Sequence, residues 1–162
     1  MYTKEVKTNT LILGIGNTIR LDDRVGIEVV RRLAEKITLE DTHIKESSEA
    51  GFNLLDLILG YQKLIIVDSI QTKDGKSGDI YRLTKSDFTF SLDPCFSHNS
   101  GLARVFAWAE RAKLPVPKDI IFYAIEIKKC DIFGEGLTRE VEMAIPELIK
   151  LIEEEIVSVG KV

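Results

Sequence analysis

One stretch, Thr10 to Gly26 (TLILGIGNTIRLDDRVG), constrains this chain more than any other. In it a buried strand, a glycine turn, a paired carboxylate and a helix start follow one another directly. Leu11, Ile12, Leu13 and Ile15 make a short apolar run of the kind found in strands covered on both faces. Gly14, Gly16 and Asn17 tolerate a left-handed backbone, so a sharp turn is expected at the carboxyl end of a central strand. Val25, Val29, Leu33 and Ile37 then recur at helical spacing. Asp22 and Asp23 therefore stand beside a helix amino terminus, at the sheet edge where open α/β folds hold ligands. The turn does not complete a dinucleotide fingerprint. Ile19 occupies the third glycine position, and a pyrophosphate laid here would meet two carboxylates instead of bare amides.

From this start the chain reads as alternating strands and helices. The first strand covers about Thr10 to Ile15 and the first helix about Asp23 to Ile37. His43, Ile44 and Lys45 offer a short second strand, and a loop from Ser47 to Gly51 leads to a short helix through Phe52, Leu55 and Ile58 that Gly60 closes. Lys63 to Asp68 (KLIIVD) is a second central strand ending at an acid. The loop Gln71 to Gly78 is too short for a helical crossover, so the half-exposed strand Asp79 to Leu83 is expected to run antiparallel to it, near an edge. Thr84 to Asn99, containing Pro94, lacks periodicity and reads as irregular. A helix over Ser100 to Ala112 with Leu102, Val105, Phe106 and Ala109 inward precedes Pro115 and Pro117, and Asp119 to Ile127 is a third apolar strand. After a loop from Lys128 to Gly136, Thr138 is expected to cap a long helix whose Val141, Ile145, Leu148, Ile152 and Ile156 share one face, with a kink at Pro146. The pattern predicts a three-layer α/β/α sandwich on a mostly parallel sheet.

Length and composition bound the function. A chain of 162 residues, 44% hydrophobic and without a linker, is expected to form one domain over 1–162. Its 22 basic and 26 acidic residues are dispersed, so nothing argues for a nucleic-acid partner. No apolar run reaches membrane-spanning length and the amino-terminal stretch lacks the apolar core of a signal peptide, so membrane insertion is not expected and a cytoplasmic location is. Cys95 and Cys130 stand apart without a CxxC, which argues against a zinc knuckle, a redox pair or a disulfide.

Three polar residues follow strands or their loops and could meet at one rim: Asp23, Asp68 and His98. Two carboxylates and an imidazole make an open site for a divalent cation such as zinc or nickel. Simpler roles compete with this one. Asp22 or Asp23 could cap the first helix, Asp68 could merely end its strand, and His98 could lie beside a helix cap. His43 is expected to face solvent. Cys95, three residues before His98, is a rival nucleophile, whereas Ser69 and Ser97 lack the flanking glycines of a nucleophile elbow.

The blocks GIGNTIRLDDRVG, SEAGFNLLD, KLIIVDSI, FSHNSGL and GEGLTREVEMAI, in this order and at these distances, resemble those of the hydrogenase maturation protease family over nearly the whole chain. Leu21 and Arg24 depart from the small residues usual around the family's acids, a difference that bears on partner preference. The resemblance implies a five-stranded mixed sheet in the order 2-1-3-5-4 with strand 4 antiparallel. It also implies Asp23, Asp68 and His98 as both metal ligands and catalytic residues. The implied activity is an endopeptidase that removes the C-terminal extension of a nickel-iron hydrogenase large-subunit precursor after nickel insertion. The nickel would be supplied by the substrate and serve as the recognition signal, in a site that zinc or another divalent metal could also occupy in vitro. A non-catalytic, metal-dependent docking module for the precursor is the competing reading.

Overall fold

The computed structural model describes residues 9–90, 102–128 and 132–159. It begins with β1 (Thr10–Ile15), a 3-10 turn (Asp22–Arg24), α1 (Val25–Lys36) and β2 (Thr42–Ser47). A second 3-10 turn (Gly51–Leu54) enters the short α2 (Leu55–Ile58), followed by β3 (Lys63–Ile70), β4 (Ile80–Thr84) and α3 (Lys85–Phe90). Last come α4 (Leu102–Arg111), β5 (Asp119–Glu126) and α5 (Arg139–Val159).

The strands form one sheet in the order β2-β1-β3-β5-β4. β1 pairs in parallel with both β2 and β3, β3 in parallel with β5, and β4 antiparallel to β5. Both the expected order and the single reversed strand are present. The short β3–β4 loop forces the reversal, and β5 later fills the gap between the two strands. Because the chain leaves β1 toward β2 and returns on the other side to β3, the carboxyl ends of β1 and β3 flank a topological switch point.

Strand alternation sorts the core into two faces. Leu11, Leu13, Leu64, Ile66 and Phe122 pack with α2 and α4, including the inward-facing Leu102, Val105, Phe106 and Ala109. Ile12, Ile65, Val67, Ile121 and Tyr123 pack with α1 and α5 through Val29, Leu33, Val141, Ile145, Leu148 and Ile152. The result is the expected three layers.

Several local expectations change. β3 does not stop at Asp68 but continues through Ser69 to Ile70, every residue buried, so Asp68 lies inside the strand. The segment after Thr84 is not irregular at its start: Lys85–Phe90 is helical, initiated where the Asp87 carboxylate accepts from the Thr84 amide and hydroxyl, both at 2.8 Å. Gly14, Gly16 and Asn17 take no left-handed backbone. The glycines instead permit close approach. A Cβ on Gly26 would lie 2.3 Å from the carbonyl oxygens of Ile15 and Val67, and one on Gly16 would lie 2.4 Å from that of Asp23. Glycine here lets α1 sit directly on the strand ends. The long last helix is present as expected, with α5 spanning Arg139–Val159 and Pro146 inside it.

Candidate functional site

The first α1 turns press against the ends of β1 and β3, and this contact carries the paired acids into the sheet edge. Asp23 is completely buried and Asp22 is nearly so. The turn before them is held by backbone bonds from the Asn17 amide to the Asp23 carbonyl (3.2 Å) and from the Arg20 amide to the Asn17 carbonyl (3.2 Å). The Asn17 side chain accepts from the Ile19 amide at 3.1 Å. Arg24 folds its guanidinium back onto the Thr18 carbonyl, so it braces this same turn.

The two neighbouring acids part company. Neither occupies the N-cap position of the 3-10 turn or of α1, which fall on Leu21 and Arg24. Asp22 instead accepts from the Thr138 amide at 2.7 Å and from the Thr138 hydroxyl at 2.8 Å, thereby fastening the start of α5. The Thr138 hydroxyl, expected to cap the helix, donates to an acid from the other end of the chain. Asp23 turns to β3, where its Oδ1 accepts from the Ser69 hydroxyl at 2.8 Å. Asp68, also fully buried, accepts from the Ser69 amide at 2.7 Å. Asp23 and Asp68 thus each bond to Ser69 at the switch point, one through its hydroxyl and the other through its amide.

The sequence provides only part of this. Ser69 has no nucleophile elbow around it, and its hydroxyl is occupied with Asp23. The available signal was alternation: on a buried strand, Ser69 must face away from Asp68, toward the helix that carries Asp23. His98, Cys95, Ser97 and Cys130 lie outside the described residues. Among the described residues, no group of three or more His, Cys, Asp and Glu is arranged to hold a metal ion. Two buried carboxylates are nonetheless hard, anionic donors that fit a divalent cation once a third ligand is supplied. His43 is exposed, as expected, but its Nδ1 lies 2.8 Å from the Tyr61 hydroxyl, on the edge strand and away from the acids.

The rim around the acids is built by distant segments. The Leu21 amide donates to the Ile132 carbonyl at 2.9 Å and the Gly134 amide to the Ile19 carbonyl at 3.2 Å, around an antiparallel bridge between Arg20 and Phe133. Both Ile19 and Phe133 on this pairing are exposed. On the β2 side, a cleft of about 370 Å³ is lined by Thr18, Arg31, Glu46 and Ser47. There the Arg31 guanidinium forks onto Glu46 at 2.7 and 2.8 Å; this hydrogen bonding holds the Glu46 carboxyl below its usual range despite some desolvation. Beyond β5, buried Glu126 accepts from the Thr72 amide at 2.6 Å and hydroxyl at 3.0 Å and so anchors the β3–β4 loop. Among the described residues no helix is long and apolar enough to cross a membrane.

Comparison with known proteins agrees with this architecture. Hydrogenase 2 maturation protease of Escherichia coli is 31% identical over 102 residues, a match spanning 60% of either chain. The structure of the hydrogenase maturating endopeptidase HybD from E. coli superposes with a TM-score of 0.79 at 26% identity, over 94% of both chains. The NiFe hydrogenase maturation protease HybD from Thermococcus kodakarensis gives a TM-score of 0.70 at 26% identity, over 90% of this chain and 97% of the other. A family model described as hydrogenase maturation protease matches residues 27–155, most of the chain and every strand after β1. With the sheet order, the acid turn and this match in agreement, the chain belongs to the hydrogenase maturation protease family.

Proposed function

We propose that this protein is an endopeptidase that removes the C-terminal extension of a nickel-iron hydrogenase large-subunit precursor once nickel has been inserted. Asp23, Asp68 and His98 complete the coordination of the nickel that the substrate brings, and the ion so held marks a precursor as ready. The observation that carries this reading is the convergence of Asp23 and Asp68, both fully buried, on Ser69 at the switch point. Carboxylate oxygens are hard, anionic donors of the kind that divalent cations take as ligands.

In this reading the chain's own groups act first by positioning. The ligand residues fix the metal centre, and with it the scissile peptide, relative to the rim. The cation supplies Lewis acidity toward a carbonyl or a water when it is bound. Carboxylates at the same edge can accept a proton from an attacking water. Resting protein, with an incomplete ligand set, then holds divalent metal weakly and acquires the working ion with its substrate.

The test compares nickel-loaded with nickel-free precursor at equal concentration, reading the shortened product by mass and the initial rates. The loaded form is expected to be cut about a hundredfold faster, which corresponds to a preference of about 3 kcal/mol. Equal rates would remove nickel as the signal. Tight binding of the loaded precursor without a shortened product would leave the non-catalytic docking module.

A further inference from the structure

Ser69 interrupts an otherwise apolar face. Ile65 and Val67 precede it on the side of β3 that packs against α1 and α5, and Ser69 itself is completely buried. A buried hydroxyl needs an acceptor, and an alanine would fill the position at less cost. The acceptor is Asp23, at 2.8 Å. The backbone amide of the same residue reaches Asp68 at 2.7 Å. One oxygen of each acid is therefore fixed by one residue, through the hydroxyl in one case and the amide in the other. A carboxylate with one oxygen so held has its rotation about the Cβ–Cγ bond fixed, which also sets the direction of the second oxygen.

We propose that Ser69 is a positioning residue whose hydroxyl sets the facing of Asp23 toward a divalent cation, beside an Asp68 held by the amide of the same residue. This rests on the metal-holding reading above. The hydroxyl governs Asp23 alone, because the amide that holds Asp68 remains whatever the side chain. Partners hydrogen-bonded to a metal ligand commonly contribute about 10- to 100-fold in affinity.

The test measures Cd²⁺ binding to the intact chain by titration calorimetry, with far-UV circular dichroism and thermal unfolding run alongside. Ser69→Ala is expected to weaken Cd²⁺ binding about tenfold with the fold retained, and Ser69→Thr, which restores a hydroxyl, to recover most of it. Wild-type affinity in folded Ser69→Ala, together with lost binding in Asp23→Asn, would overturn the positioning role while keeping the metal site. Equal loss in Ser69→Ala and Ser69→Thr would also overturn it, since the hydroxyl would then not be the operative group. Unchanged binding in Asp23→Asn would remove the metal reading itself, and the positioning role with it.

Discussion

Asp22 and Asp23 are adjacent and chemically identical, yet they serve different partners, one at the start of α5 and one on β3. Their substitutions should therefore separate. Asp23→Asn is expected to lower precursor processing by about a hundredfold or more while leaving the thermal unfolding midpoint close to wild type, in a cleavage assay paired with calorimetry. Asp22→Ala should do the reverse at first order. It leaves the Thr138 amide and hydroxyl without their acceptor and is expected to cost about 2 kcal/mol in urea unfolding. Asp23 was legible in sequence because a strand, a turn and a helix start place it. The task of Asp22 was not, because its partner is Thr138, which no local pattern connects to it. The same holds for Ser69: a nucleophile is recognised by its flanking residues, a tether by what stands opposite.

Among the elements, α1 and α5 carry the most informative local conflicts. Gly26 lies where α1 meets backbone on two strands, so Gly26→Ala has no room to relax. It should cost at least about 3 kcal/mol, read as a lower urea midpoint. Pro146 is exposed within α5 and removes one helical hydrogen bond without contributing to the core. Pro146→Ala is expected to stabilise the chain by about 2 kcal/mol, the helical gain less the added freedom of the unfolded state. Strands and long helices were readable because burial on both faces writes continuous apolar runs, as in Leu64 to Val67, and one-sided burial writes a helical stripe, as in Val141 to Ile152. Boundaries were less readable. β3 outlasts Asp68 because a buried strand tolerates polar residues where partners wait for them. The start of α3 is marked by Thr84 and Asp87, a capping spacing that a reading by periodicity alone passes over.

On the scale of the molecule, the sheet has two ends with different business. At the amino ends of the strands, buried Lys63 reaches Glu155 at 3.1 Å and Asp119 at 3.4 Å, and Arg82 also bonds Glu155 at 3.1 Å. Burial alone would raise the Glu155 carboxyl, but the bonds from Lys63 and Arg82 hold it below its usual range. Glu46 is depressed likewise by Arg31. A carboxylate depressed in the folded state stabilises the fold above its unfolded value and loses that contribution as pH falls through the folded one. Stability should thus hold down to pH near the ordinary 4.5 and decline below it; Glu155→Gln should lower stability at neutral pH and flatten the acid decline, as followed by urea midpoints across pH 3 to 7. At the other end, the tie between Asp22 and Thr138 sets a clock. The two residues are 116 positions apart. At about 5–20 residues per second on the ribosome, the acid turn emerges roughly 6 to 23 s before the residue that secures it. Until α5 is synthesised, one face of the sheet also lacks the helix that carries Val141, Ile145, Leu148 and Ile152. A nascent chain therefore carries its acids long before it carries the helix that fastens the turn around them.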